Sequence, residues 1–247
     1  MSPLLSNSGY SFATATTYPK IVTNGLVVNI DAFLSNSYPG SGSNIKDLSG
    51  NNQTGSLKNG TLWSSGGYFS LDGSNDYILV NNNGLSSYFP STAESHFTWV
   101  YPVSAGQIVS EIGQTTINTG WHDSNIELSS GGVFRFSTWQ GVNGLTNKVV
   151  STAQSFYQWY QVGYTYDGST FTAYINGNSI GTTTFTRSVP WENGRDLYYA
   201  LCATDSTNMG SSGYAGARIS QFLLYNRALT STEVKQNFDA LKGRYRL

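Results

Sequence analysis

The sequence predicts an all-β fold, an antiparallel sandwich or barrel that is closed by one short C-terminal helix. Short runs that alternate apolar and polar residues recur along the chain, separated by turns rich in Gly and Asn. Aromatic residues make up 14% of the chain and charged residues only 11%, which suits strands joined by tight turns. Near the C-terminus, several independent signals mark the start of one helix.

The N-terminal part divides into an arm and the first strands. Residues 1–20 are polar and lack clear periodicity, so we predict an N-terminal arm there, a docking segment or linker. A single domain is predicted over residues 21–247. Its first strand covers residues 26–30, and residues 68–80 contain a strand, a tight turn and a second strand.

The most specific hairpin signals lie between residues 159 and 184. An alternating run over residues 159–166 leads into Asp167-Gly168, and a second run over residues 170–175 leads into Asn176-Gly177. Asx-Gly pairs tolerate the positive φ angles that short hairpin turns require. We therefore predict three successive antiparallel strands.

The C-terminal helix is predicted from its cap. Thr230 is placed as the N-cap residue, and Glu233 three positions later completes a capping box. Leu229 and Val234 can form a hydrophobic staple across the first turn. We expect Gly243 to end the helix.

Charge and targeting signals exclude several classes of protein. The net charge of −1 without a basic surface run argues against nucleic-acid binding. No apolar run is long enough to predict membrane insertion, and the first residues do not form a Sec-type signal peptide. The single cysteine, Cys202, is predicted to be a buried core thiol.

Several motifs spread along the chain resemble the laminin-G-like, concanavalin A-like jelly-roll superfamily. They are Asp47-Leu-Ser-Gly-Asn, Leu71-Asp-Gly-Ser-Asn-Asp-Tyr-Ile, Tyr166-Asp-Gly, Tyr174-Ile-Asn-Gly, Gly213-Tyr-Ala-Gly and Leu224-Tyr-Asn-Arg-Ala-Leu-Thr. The resemblance implies a two-sheet jelly roll that recognises carbohydrate or protein. Some relatives hold calcium at the sandwich rim, and others have lost it. More narrowly, Asp47-Leu-Ser-Gly-Asn-Asn and the C-terminal segment 237–245 resemble domains of bacteriophage virion proteins.

Catalysis is not predicted. Glycoside hydrolysis needs a close carboxylate pair, whereas the carboxylates here are scattered. Glu111 and Glu127 could meet across a sheet, but we interpret them as solvent-facing strand residues.

Two loops are the candidate ligand-binding sites, because aromatic rings stack on sugars while polar groups orient them. One loop contains Trp121, His122, Asp123 and Asn125, and the other contains Trp191 and Glu192. Packing of Trp121 in its loop is an equally favoured interpretation. The remaining tryptophans are predicted as core residues: Trp63, Trp99, Trp139 and Trp159.

A calcium site is a third hypothesis. Asp123, Asn125 and Asp205 offer the oxygen ligands that calcium prefers. Turn formation is the favoured explanation of the same residues, because Asp and Asn favour turns for local reasons.

These features favour a non-enzymatic virion structural protein, acting as a capsid decoration, fibre or adhesion component at the virion surface. Residues 1–20 would contact other virion proteins, and the rim loops would bind host surface glycans or neighbouring proteins. The protein could also form a homo-oligomer. A carbohydrate-binding module or lectin of cellular origin, exported without a Sec-type signal, is the second functional hypothesis, and a glycan-degrading enzyme is less favoured than either.

Overall fold

The computed structural model describes residues 20–81, 85–89, 92–113, 122–138, 148–187, 197–204 and 213–247. These residues form two eight-stranded antiparallel sheets around a shared apolar interior. The predicted two-sheet sandwich with one C-terminal helix is therefore confirmed. The predicted N-terminal arm falls on residues 1–19, outside the described part, and on Lys20.

The first sheet contains β1 (Leu26–Asp31), β4 (Leu62–Ser64), β5 (Tyr68–Asp72), β7 (Glu94–Pro102), β12 (Tyr160–Tyr166), β13 (Thr170–Ile175), β14 (Asn178–Thr184) and β16 (Gly216–Tyr225). The second contains β2 (Asn44–Lys46), β3 (Thr54–Lys58), β6 (Tyr77–Asn81), β8 (Gly106–Ile112), β9 (His122–Leu128), β10 (Val133–Ser137), β11 (Lys148–Ala153) and β15 (Tyr198–Leu201). The first sheet runs β14-β13-β12-β7-β16-β5-β4, with β1 also paired to β16. The second runs β11-β10-β9-β8-β15-β6-β3-β2.

Strand β7 lies inside the first sheet, between β12 and β16, and is buried on both faces. Val100 belongs to the core between the sheets, whereas Phe97 and Trp99 belong to clusters on the outer face. This alternation follows from the two-residue period of a strand. Because the outer residues are also apolar, this sheet needs a cover on its outer side.

Helix α1 (Ser231–Leu241) supplies that cover together with the 3₁₀ helix Lys242–Tyr245. The Trp99 ring packs against Phe238 of α1 and Tyr245 of the 3₁₀ helix, with ring centroids 5.6 and 4.0 Å away. Aromatic pairs at such distances stabilise beyond their buried area. None of the helices in the described part of the chain is long and apolar enough to cross a membrane.

The helix ends differently from the prediction. Helix α1 stops at Leu241, and the chain continues through Gly243 as a 3₁₀ turn, which ends where Arg246 adopts a left-handed φ of 60°. Arg244 Nη1 donates to Asp31 Oδ2 at 2.7 Å. Docking of this residue on β1 keeps the chain coiled past Gly243, so a glycine stop is not used.

The predicted cap of α1 is confirmed. Glu233 N donates to Thr230 Oγ1 at 3.3 Å, and Thr230 N donates to Glu233 Oε2 at 2.8 Å. Leu229 and Val234 are buried in one cluster, as a hydrophobic staple requires. Arg227 donates to both Glu233 carboxylate oxygens at 2.9 and 2.6 Å, and these bonds lower the pKa of Glu233 to about 2.

The turns also follow the sequence. Strands β12, β13 and β14 form the two predicted hairpins, with positive φ at Gly168, Asn176 and Gly177. The turn after Asp72 does not form a hairpin within one sheet. It connects the two sheets, because β5 belongs to the first sheet and β6 to the second. Asp72 Oδ1 accepts from Ser74 N at 2.7 Å and shapes this crossing between sheets.

The Asp47-Leu-Ser-Gly-Asn-Asn segment stabilises the start of the sandwich. The Asp47 carboxylate accepts hydrogen bonds from the backbone N–H groups of Asn29, Ser49 and Gln53 at 2.8 to 3.3 Å. Asn51 Nδ2 donates to Leu26 O at 2.9 Å. The motif therefore joins a loop to strand β1.

Cys202 is buried in the core between the sheets, as predicted. Burial raises the pKa of its thiol, so the group remains a neutral thiol at physiological pH.

We expect Glu233→Gln to lower the free energy of unfolding by about 1–2 kcal/mol at pH 7, measured by urea denaturation, because it weakens the cap and the Arg227 bonds. The folded pKa of Glu233 is about 2 and its ordinary value is 4.5. Its stabilisation is therefore complete above the ordinary value and is lost as the pH falls towards 2. The difference between variant and wild type should shrink over that interval.

Asp239→Asn is the control, since it weakens partly exposed ion pairs with Lys235 and Lys242 and should cost less than about 1 kcal/mol. Equal losses in both variants at pH 7 would contradict the role assigned to the cap.

Candidate functional site

The structure describes only some of the predicted site residues. Asp123 and Asn125 are described fully, and His122 by its backbone alone. The others lie outside the described residues: Trp121, Trp191, Glu192 and Asp205. Asp123 and Asn125 were predicted to lie in an exposed loop. The structure instead places them in strand β9, where they are 2% and 0% exposed.

A β-bulge directs Asn125 into the interior. Val109 pairs with Ile126 and Ser110 with Ser124, so Asn125 is an extra residue on β9. Its neighbour Ile126 also belongs to the interior core. A bulge lets two successive residues point the same way, which the simple alternation of a strand does not predict.

A buried polar cluster lies between the sheets near the start of β7, and we call it the interior cluster. Side chains from both sheets contribute to it, and they are Glu94, His96, Glu111, Asp123, Asn125, Tyr164, Arg187 and Tyr199. Glu94 and His96 are 0% exposed and Glu111 is 1% exposed. Apart from Asp123 and Asn125, its members were not predicted as site residues, because they are far apart in the chain.

His96 Nε2 is the central atom of the interior cluster. It lies 3.3 Å from Glu94 Oε2, 3.8 Å from Glu111 Oε1, 3.3 Å from the Tyr199 hydroxyl and 3.5 Å from the Tyr164 hydroxyl. Tyr164 donates to Glu94 Oε1 at 3.2 Å, and Tyr199 donates to Glu111 Oε1 at 3.3 Å. Within the described ranges, Glu94 Oε2 and His96 Nδ1 are buried without a hydrogen-bond partner.

The two glutamates differ in their electrostatic surroundings. Burial acts to raise the pKa of Glu94, but Arg187 Nη2, 3.1 Å away, and His96 hold that pKa below its usual value. Burial raises the pKa of Glu111 well above its usual value, and the charge of Glu94 raises it further. Arg187 is therefore in direct contact with Glu94, whereas Glu111 feels the charge of Arg187 only at longer range.

Glu111 and Glu127 are not the solvent-facing residues that we predicted, since they are 1% and 6% exposed. Glu111 points into the interior cluster. Glu127 lies on the outer face of the same sheet, where Arg135 Nη1 approaches it to 3.2 Å. The two carboxylates face opposite sides of the sheet and do not form a catalytic pair.

A second feature lies on the outer face of the first sheet, beside the C-terminal 3₁₀ helix. Tyr68, Tyr101, Trp159 and Arg218 are half-buried there and form what we call the aromatic platform. The Trp159 ring lies 5.6 Å from that of Tyr101 and 6.1 Å from that of Tyr68. Trp159 was predicted as a core residue, but it is partly exposed, whereas Trp99 is buried as predicted.

Arg218 lies between two rings of the platform. Its guanidinium carbon is 4.9 Å from the centroid of Tyr68 and 4.6 Å from that of Tyr101. No hydrogen bond or ion pair joins the guanidinium to any residue within the described ranges. Its N–H donors are therefore available to a ligand that carries negative charge.

The interior cluster and the aromatic platform are well separated. Glu94 and Tyr101 lie about 23 Å apart along β7, at about 3.3 Å per residue. Glu94 faces the interior and Tyr101 the outer face. The two features can therefore be tested independently.

The chain matches the Laminin_G_3 family, described as the concanavalin A-like lectin/glucanases superfamily, over residues 72–235. The protein therefore belongs to this family of sandwich domains. No curated protein sequence is significantly similar to the chain.

Solved structures share the fold at low sequence identity. The binding domain of botulinum neurotoxin serotype D/C has a TM-score of 0.64 and 15% identity, over 89% of this chain and 53% of that one. The botulinum neurotoxin DC binding domain in complex with rat synaptotagmin II has a TM-score of 0.63 and 15% identity, over 89% of this chain and 52% of that one. Trypanosoma rangeli sialidase in complex with sialic acid has a TM-score of 0.64 and 13% identity, over 93% of this chain and 36% of that one. This chain thus spans about half of the neurotoxin domain and about a third of the sialidase.

We expect Arg187→Met to lower the free energy of unfolding by about 3–5 kcal/mol, because it leaves the Glu94 carboxylate buried without its guanidinium. Lys235→Met is the control, since Lys235 is 45% and its partner Asp239 29% exposed, so this ion pair should contribute less than about 1 kcal/mol. Urea denaturation of both variants measures the difference. A loss in the free energy of unfolding that is equally small in both variants would show that burial of Glu94 does not require Arg187.

Proposed function

We propose that this protein is a non-enzymatic recognition domain that binds a carboxylate-bearing glycan on the aromatic platform. The observation that supports the proposal most strongly is Arg218, a guanidinium held between two tyrosine rings without a polar partner among the described residues. A planar guanidinium can bind a carboxylate through two parallel hydrogen bonds. The exposed parts of Tyr68, Tyr101 and Trp159 offer apolar surface on which a sugar ring can stack.

The sheet holds the platform residues in place before a ligand arrives. Arg218 of β16 is directly paired with Tyr101 of β7, and with Ser70 of β5 on its other side. Trp159 immediately precedes β12, the other neighbour of β7. Side chains fixed by packing lose little conformational entropy on binding, which favours recognition by a rigid surface.

The buried position of the carboxylates supports a role without catalysis. Glu94 and Glu111 place oxygen atoms within 4.8 Å of each other, close to the roughly 5 Å separation that retaining glycosidases use. Both residues are at most 1% exposed. Because the two carboxyl groups of a glycosidase must flank the scissile bond, this pair does not support hydrolysis of a glycan.

We further propose that the domain is displayed at a virion surface as a decoration, fibre or adhesion component. This proposal rests on the resemblance of residues 47–52 and 237–245 to bacteriophage virion domains. Both segments stabilise the sandwich, through Asp47 at β1 and through Asn237 Oδ1, which accepts from Val22 N at 2.8 Å. The shared residues thus specify the domain type, while the surface residues specify its ligand.

We expect Arg218→Met to weaken binding of carboxylate-bearing glycans at least about 10-fold, because methionine keeps the apolar stem between the rings but removes the N–H donors. Isothermal titration calorimetry with sialic acid, the ligand in the sialidase structure, and with a uronic-acid oligosaccharide measures the change. Trp159→Ala should weaken binding through lost stacking, and Arg135→Met should not alter it.

Unchanged affinity in Arg218→Met, or no binding of acidic glycans by the wild type, would refute the platform as the glycan site. Loss of binding in Trp121→Ala alone would place the site in the loop that was predicted from the sequence.

For the virion proposal, we expect the protein to copurify with intact particles through a density gradient, detected by mass spectrometry of the particle band. A soluble lectin of cellular origin would instead remain monodisperse and free of particles. Recovery only in the soluble fraction would overturn the virion role and would leave the glycan proposal unaffected.

A further inference from the structure

We propose that Glu94, His96 and Glu111 bind one divalent transition-metal ion between the two sheets, and that zinc is the ion that fits best. This metal would join β7 of the first sheet to β8 of the second at the end of the sandwich remote from the aromatic platform. The inference is independent of the proposed glycan recognition.

The spacing of the donor atoms suits a metal ion. His96 Nε2 lies 3.3 Å from Glu94 Oε2 and 3.8 Å from Glu111 Oε1, and all three donor atoms lie within 4.8 Å of one another. Ligand atoms about 2.0–2.2 Å from a tetrahedral zinc ion are about 3.3–3.6 Å apart. Two of the ligand separations are thus close to those of a zinc site.

One oxygen of Glu94 is directed at His96. Glu94 Oε2 is fully buried and lies 3.3 Å from His96 Nε2, and no described residue other than His96 is positioned to donate a hydrogen bond to it. The other oxygen, Oε1, accepts hydrogen bonds from Tyr164 and Arg187. When His96 Nε2 carries no proton, Oε2 has no donor, which is costly for a buried carboxylate, and a cation between Oε2 and Nε2 would remove that cost.

The named charges of the interior cluster also favour a dication. The charges of Glu94 and Glu111 repel each other, and Arg187 is in contact with Glu94. A dication bound between the two carboxylates would attract both of them. Buried charges in proteins are usually paired or bound to metals, so the composition of the cluster fits a metal.

The ligand types select the class of metal. An imidazole nitrogen favours zinc and its transition-metal neighbours over calcium and magnesium, which prefer oxygen ligands alone. The Tyr164 and Tyr199 hydroxyls donate to the two carboxylates and would fix their orientation around the ion. Because the residues are buried, the ion would stabilise the fold and would have no access to substrate.

The test uses the full-length, untagged protein, unfolded in urea with chelator and refolded with or without zinc, because a buried site loads during folding. After dialysis, we expect inductively coupled plasma mass spectrometry to find about one zinc ion bound per chain. The melting temperature should rise by about 5 °C or more at saturating zinc, and calcium at the same concentration should not raise it.

Glu111→Gln keeps the shape and the hydrogen-bond acceptor but removes the charge, and should abolish stoichiometric zinc and the shift in melting temperature. Glu127→Gln, on the opposite face of the same sheet, is the matched control and should bind zinc as the wild type does. Zinc binding by Glu111→Gln equal to that of the wild type would overturn the site.

Near-ultraviolet circular dichroism shows whether Glu111→Gln refolds. If it does not, the test of the metal site depends on the wild type alone. Cobalt refolded into the wild type should give the visible absorption bands of a four- or five-coordinate nitrogen and oxygen site. A wild type that retains no zinc, or cobalt that shows only the spectrum of the hydrated ion, would overturn the proposal.

Discussion

The packing of the C-terminal helix against strand β7 is the interaction on which the rest of the sandwich depends. Strand β7 is paired on both edges, and its outer face presents large apolar rings that the second sheet cannot reach. Phe238 and Tyr245 cover Trp99, and the cap at Thr230 sets the point at which the helix leaves the sheet. Without that cover, aromatic surface of about 150–250 Å² per ring would be exposed to water.

The two ends of β7 have opposite chemical character. At its start, Glu94 and His96 enter an interior that is otherwise apolar, and they require partners from both sheets because uncompensated polar groups there are costly. At its end, Tyr101 faces outward beside Arg218, where water can solvate the guanidinium. The fold thus places its stabilising polar contacts and its proposed recognition surface on different faces of one strand.

The sequence predicted best those features that depend on neighbouring residues. The capping box at Thr230 and Glu233 and the turn at Asn176-Gly177 each depend on a few adjacent positions, and both are confirmed. The bulge at Asn125 depends on the register between β8 and β9, which residue type does not reveal. Arg218 meets Tyr101 through pairing of strands that are remote in sequence, so no local pattern could have identified the platform. Asp and Asn suggested a loop at residues 123–125, whereas burial in the interior cluster explains them.

The pairing of β1 with β16 has a consequence for how the domain is made. Leu26 lies opposite Tyr225, and Tyr225 donates from its hydroxyl to Val22 O at 3.0 Å. Strand β1 must therefore wait for β16, which is remote in sequence, before its ladder hydrogen bonds can form. Pairing between such remote strands is slow to form and is completed only after β16 has been synthesised. During translation, the unpaired edge and apolar face of β1 are the surfaces that a chaperone would have to protect.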